Sequence, residues 1–398
     1  MLLAQQPNSL IILKEHRTRS INGFRLTGIT DSGKIEMKIS RIRLYVVNVP
    51  ERRWWWSDDV YGQPMHQRSE HGIAEVETDA GLIGLTQIER NTPPETMISI
   101  LNSWLGQDVL KLNLALIESP MTASFEQAVL DLRGQALGVP IWQLLGGRLR
   151  DRIPVTQCTG YKTTEHTADD AQWGWEQGFR AYKMKCITEA EGTPEKRIRY
   201  VTDRVEAIHE ILPDMIVRPD IRWRLEEVWV AQELARRLQN HRLDCLESPI
   251  RKQSAAGTFS EWRRLRQTIN LPIADHIGGT NLITAFQSQA LDYAIIGSAS
   301  YIETINQSYL AHQLGMGGWS QTVAYGPGAA MGLHVAACMP NLTQPYDMVG
   351  PMAWENTLVN EDFPFKNGCF LVPGRPGLGY TLNHEAAKKY LIQKHVLE

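Results

Sequence analysis

AYKMKC (residues 181–186), MIVRPD (215–220), LDCLESP (243–249) and LPIADH (271–276) recur about one strand–helix unit apart. Each is a short apolar or β-branched run, and a helical stretch separates it from the next. The series starts at RIPVTQC (152–158) and continues through DYAIIG (292–297) to WSQTV (319–323). A spacing of about 20 to 35 residues suits repeated strand–helix units and a parallel sheet. Seven or eight such units in about 200 residues predict a (β/α) barrel rather than an open doubly wound sheet. No GxGxxG or GxxxxGK[ST] follows a strand, so the usual nucleotide loops are missing.

Upstream the rhythm differs. MKISRIRLYVVNV (37–49) approximates a period of two at Ile39, Ile42, Leu44 and Val46, the mark of a half-buried strand. HGIAEVETDAGLIGLTQIE alternates around Asp79-Ala80-Gly81, which predicts a hairpin. Helical patterns fill about 94 to 147, punctuated by Gly138-Val139-Pro140 and closed by Gly146-Gly147. The expected organisation is an α+β unit over 37–150, a barrel over 151–350, and a Gly/Pro-rich tail over 351–398 that returns to the first unit. Residues 1–36 read as a leader: either an extension upstream of a natural start at Met37 or a flexible segment. Residues 50–68, PERRWWWSDDVYGQPMHQR, carry three consecutive Trp that cannot all face one core. They predict a lid over a pocket or a contact between subunits.

Composition removes several classes. The 398 residues carry 41 Lys and Arg against 44 Asp and Glu, a net charge of −3 that gives no basic footprint for nucleic acid or an anionic membrane surface. With 43% hydrophobic residues the chain can bury a full core, yet no apolar run approaches the roughly 18 to 20 residues that span a bilayer. Five scattered Cys argue against a disulfide scaffold or a Cys-based zinc site and suit a reduced, cytoplasmic setting.

In a parallel barrel, functional groups gather at the C-terminal ends of strands. Lys183 and Lys185, two apart, point to one side of their strand. The next three runs close in Asp220, Glu247 and Asp275, 27 and 28 residues apart. Singly, a K-x-K is usually a solvated edge, and an acid at a strand end usually caps the next helix. Jointly they point to a site. Three convergent carboxylates need a cation to stay ionised, and an all-oxygen donor set favours Mg²⁺.

These residues, with SFEQAVLDLRGQALGVPIWQLLGG (124–147) and GAAMGLHVAACMPN (328–341), resemble the enolase superfamily, specifically its mandelate racemase and muconate lactonizing enzyme groups. The resemblance covers about residues 37 to 385. It implies a modified (β/α)7β barrel under an α+β capping domain, with Asp220, Glu247 and Asp275 binding Mg²⁺. It also implies removal of the proton α to a substrate carboxylate, giving a metal-stabilised enediolate. Lys185 is the expected base and Lys183 its electrostatic partner at the substrate carboxylate.

The departures shape the expected reaction. Relatives acting on both faces of a substrate carry a second base on the sixth or seventh strand. Here the sixth-strand position counts to Gly297, and the seventh falls near Tyr325-Gly326. The eighth-strand acid falls near Asp347. Arg222 replaces the usual Asn two after the first ligand, adding a cation suited to an acidic or polyhydroxylated substrate. His276, Tyr325, Asp347 and His66 complete the expected substrate-binding set. One base suffices for elimination of water, so the expected function is a Mg²⁺-dependent sugar-acid dehydratase, a lyase giving a 2-keto-3-deoxy acid. The alternatives are a lactone cycloisomerase, an epimerase or racemase, or a non-catalytic binder. The expected partners are a small-molecule carboxylate and further copies of this chain.

Overall fold

The computed structural model describes residues 36–52, 70–89, 92–117, 121–186, 192–251 and 259–398. The leader up to residue 35 and the Trp-bearing stretch with His66 lie outside the described residues.

The first layer is antiparallel. β1 (Ile39–Val47), β2 (His71–Thr78) and β3 (Ile83–Gln87) pair in sequence order. The predicted hairpin turn falls between β2 and β3, with Gly81 at φ 78°, where a side chain would be strained. α1 (Pro94–Asn102) and α2 (Thr122–Leu137) follow. α2 ends at Gly138 in the left-handed conformation, as its sequence predicts. α2 lies so close to β3 that a Cβ at Gly84 would meet Leu132 Cγ at 2.7 Å. α3 (Ile141–Leu144) leads into β4 (Arg152–Pro154).

The barrel alternates strand and helix throughout. Its order is β5 (Gln157–Cys158), α4 (Thr164–Gln177), β6 (Ala181–Lys185), α5 (Pro194–Ile211), β7 (Ile216–Asp220), α6 (Val228–Leu238), β8 (Leu246–Glu247) and α7 (Ser260–Thr268). It continues through β9 (Ile273–His276), α8 (Thr280–Gln287), β10 (Tyr293–Ile295), α9 (Tyr301–Gln313), β11 (Gly317–Trp319), β12 (Gln321–Val323), α10 (Gly326–Cys338) and β13 (Asp347–Val349). β5 to β11 form one parallel sheet in sequence order, β12 pairs in parallel with β13, and a bridge between Val155 and Tyr346 closes the ring. Counting β11 and β12 as two halves of one strand, this is the expected (β/α)7β pattern of the α/β class.

Local chemistry sets the helix starts. Thr163, Thr193 and Ser300 each accept a backbone N–H with the side-chain oxygen at the start of α4, α5 and α9. The tail divides. β14 (Phe365–Lys366) pairs with β15 (Cys369–Leu371), which pairs with β4 beside the barrel, whereas α11 (His384–Lys389) leads to β16 (Leu391–Leu397), which joins the outer edge of β1. Two side chains of α2 tie the layers together. Gln127 donates to the Pro327 carbonyl, and Glu126 accepts from Ser300 Oγ and from the N–H groups of Tyr301 and Ile302. Among the described residues, no helix is long and apolar enough to cross a membrane. The five Cys are unpaired.

Candidate active site

β6 and β7 run in register, so Lys183 lies beside Arg218 and Lys185 beside Asp220. Asp220 is in turn the register partner of Glu247 on β8. The period-two rule thus places two lysines, an arginine and two carboxylates on the inward face of three neighbouring strands.

Lys183 is 3% exposed, and its Nζ donates to Glu247 Oε1 and Asp347 Oδ2, both at 2.7 Å, with Asp220 Oδ2 at 3.4 Å. Burial alone would push its pKa down. The three carboxylates outweigh that and hold it well above the usual lysine value, so Lys183 is an ammonium. Lys185 is 16% exposed and pairs with Asp220. Burial opposes the ionised form of Asp220, but Lys185 and Lys183 hold its pKa below the usual range.

Asp275, at the end of β9, accepts from Ser248 Oγ at 2.7 Å and from Trp223 Nε1 at 3.1 Å; burial raises its pKa. The loops that bring these donors over it contain Arg222, Trp223 and Ser248 at φ 54°, 65° and 50°. Each such residue costs about 1 to 3 kcal/mol of strain, a feature that clusters at functional sites. Arg222 Nη1 donates to the Tyr161 hydroxyl at 2.6 Å.

A cavity of about 660 Å³ opens between this end of the barrel and the antiparallel layer. The barrel contributes His276, Gly297, Ser298 and Thr322, and the other layer Ser124 and Gln127. His276 joins the cavity to the charged cluster, with Nε2 3.4 Å from Glu247 Oε1. Lys183 and Lys185 are set back from the described wall.

Two expected substrate contacts are engaged with other side chains and backbone. Tyr325 is buried, its hydroxyl accepts the Val49 N–H at 3.1 Å, and its ring stacks on His71. β12 ends at Val323, so Tyr325 precedes α10 and packs between the layers instead of ending a strand. Asp347 is buried with four donors: Thr156 and Arg218 on Oδ1, Lys183 and Trp319 on Oδ2. Burial opposes its ionisation, yet Lys183 and Arg218 hold its pKa down at about 2, so it carries no proton to donate.

Arg218 was not singled out from the sequence. It is fully buried, bridges Asp244 and Asp347, and its guanidinium lies 3.7 Å from the centre of the Trp319 ring. Its spacing of two from Asp220 mirrors that of Lys183 from Lys185 and was the available signal.

Among the described residues, no three His, Cys, Asp or Glu side chains gather closely enough to hold a metal ion. The donor chemistry nevertheless fits a hard cation. Three carboxylates close successive strands, and Glu247 Oε2 is buried without a hydrogen-bond partner.

The enolase C-terminal domain-like family profile matches residues 166–387. The chloromuconate cycloisomerase of Cupriavidus necator is 24% identical over 386 residues, covering 89% of this chain and 99% of that protein. The D-gluconate dehydratase of Thermoproteus tenax is 23% identical over 317 residues, covering 75% of this chain and 61% of that protein. The crystal structure of the N-succinyl Arg/Lys racemase from Bacillus cereus superposes with a TM-score of 0.75 at 19% identity, over 91% of this chain and 100% of that one. The chain belongs to the enolase C-terminal domain-like family, within the mandelate racemase and muconate lactonizing branch of the enolase superfamily.

Proposed function

We propose that this protein removes the proton α to the carboxylate of a sugar acid and eliminates water, giving a 2-keto-3-deoxy acid. The observation that carries the reading is the division of labour between the two lysines. Lys183 is buried among three carboxylates and stays charged. Lys185 is the more exposed and is tied to one carboxylate, Asp220, where Lys183 is tied to three, so of the two it is the one free to reach a substrate proton and act as the base. Lys183 then supplies a fixed positive charge for the substrate carboxylate.

Asp220, Glu247 and Asp275 would hold Mg²⁺, which when bound supplies Lewis-acid stabilisation of the charge that develops on the substrate carboxylate. Ser248 and Trp223 orient Asp275. Arg222 and His276 border the site and bind the substrate's oxygens; His66 lies outside the described residues. Asp347 orients Lys183 and does not touch the substrate.

A cycloisomerase or epimerase is the second reading, favoured by the cycloisomerase's similarity over 89% of this chain against 75% for the dehydratase. One experiment separates the two. Sugar acids and lactones are incubated with Mg²⁺ in D₂O, and both 2-keto acid formation and deuterium at the α carbon are read. Keto acid lost in Lys185→Ala supports the dehydratase. Deuterium uptake without keto acid supports an isomerase and overturns the dehydratase.

A further inference from the structure

Gly297 follows β10 and lines the cavity between barrel and antiparallel layer. A glycine is usually demanded by backbone conformation or by close packing. Neither applies at this position. Its φ is not among the positive values of the described glycines. A Cβ built there meets no described heavy atom within 4 Å, whereas at Gly278, on the same wall, it would strike Gln307 Oε1 at 2.7 Å. An alanine at 297 would fit the fold and restrict the unfolded chain. What the missing side chain provides is room on the cavity side.

The wall around that room is built of hydrogen-bonding groups. Ser298 follows directly, Gln321 and Thr322 come from β12, and Ser124 and Gln127 from the antiparallel layer. A volume of about 660 Å³ lies within the range of small-molecule sites and exceeds what a three- or four-carbon acid fills. We propose that the hydroxylated chain of the substrate, beyond its carboxylate end, lies against Gly297, which selects long sugar acids over short ones. This rests on the sugar-acid reading above and specifies its substrate class as acids of five or six carbons.

The test compares Gly297→Ala and Gly297→Val with the wild type on the longest and shortest sugar acids turned over, with Mg²⁺ present. The long-to-short ratio of kcat/KM is expected to fall at least threefold for Ala and tenfold for Val, through KM of the long acid. Melting temperatures should not fall. If Val does not fold, the Ala ratio decides. An unchanged ratio in folded variants overturns this inference and leaves the parent reading standing. A wild type that turns over no sugar acid overturns both.

Discussion

Lys183 of β6 and Asp347 of β13 meet at 2.7 Å, so the second barrel strand is joined to the eighth over the intervening β5. Asp347 holds Arg218 on its other oxygen, and the chain of charges runs Asp244, Arg218, Asp347, Lys183, Glu247. Arg218, Asp347, Lys183 and Glu247 are buried, the Asp244 side chain is 5% exposed, and Asp220 adds a further carboxylate beside Lys183.

Removing one link leaves buried charge without its counter-charge. Asp347→Asn is expected to cost about 3 to 5 kcal/mol of folding stability. Urea unfolding monitored by circular dichroism checks this, and a loss under about 1 kcal/mol would mean that the network tolerates an open position.

Lys185 is less committed to the fold than Lys183. Lys185→Ala is expected to lower kcat at least about a thousandfold, as for loss of a catalytic base with its orientation, while the melting temperature stays within a few degrees. Turnover within tenfold of the wild type would remove Lys185 from the mechanism.

A cation at the three strand-end carboxylates should stabilise the folded state, by about 2.7 kcal/mol at a hundred times its Kd. Chelator-treated protein is therefore expected to melt higher when Mg²⁺ is added, and Asp275→Asn should lose most of that gain. Identical melting curves with and without Mg²⁺ in the wild type would argue against a metal at this site.

His334 on α10 is fully buried and neutral: Nε2–H donates to the Leu378 carbonyl at 3.0 Å, and Nδ1 accepts the Trp142 N–H at 3.3 Å. Burial pushes its pKa down from 6.5 to about 4. Between those values the unfolded chain binds the proton and the folded one does not, so stability rises with pH across that window. Acidification from pH 7 to 4 should remove about 3 kcal/mol through this group. Denaturant titrations at several pH values should show a shallower slope for His334→Asn; parallel slopes would exonerate this histidine.

Glu126 caps the first turn of α9 from the other layer. Glu126→Ala removes a carboxylate from a helix N-terminus and should cost about 1 to 3 kcal/mol. Hydrogen exchange at Tyr301 and Ile302 should speed up before the rest of α9. Uniform exchange along the helix would show that the cap acts only on global stability.

The barrel was legible because its strands recur as apolar runs, three of which carry an acid at the end. The lysines were legible because a spacing of two fixes a common face. Arg218 obeyed the same spacing but lay before Pro219 in a run read for its terminal acid, so its burial went unseen. Tyr325 was placed by counting back over α10, and that count cannot register the break between β11 and β12 at Ser320. The donors to Asp275 were hidden for another reason. Trp223 and Ser248 reach it through left-handed backbone, which no side-chain pattern encodes for residues other than glycine. The room at Gly297 is likewise a property of three-dimensional neighbours, since turn glycines and cavity glycines read alike in one dimension.

β16 supplies the outer edge of the antiparallel layer, pairing with β1 from more than 340 residues further along the chain. Every barrel strand must therefore leave the ribosome before that edge is covered. Until then β1 exposes one row of unpaired amides and carbonyls to any extended segment nearby. A fold with such a distant final pairing assembles late and slowly. The growing chain accordingly keeps an edge open to self-association until Leu391 arrives.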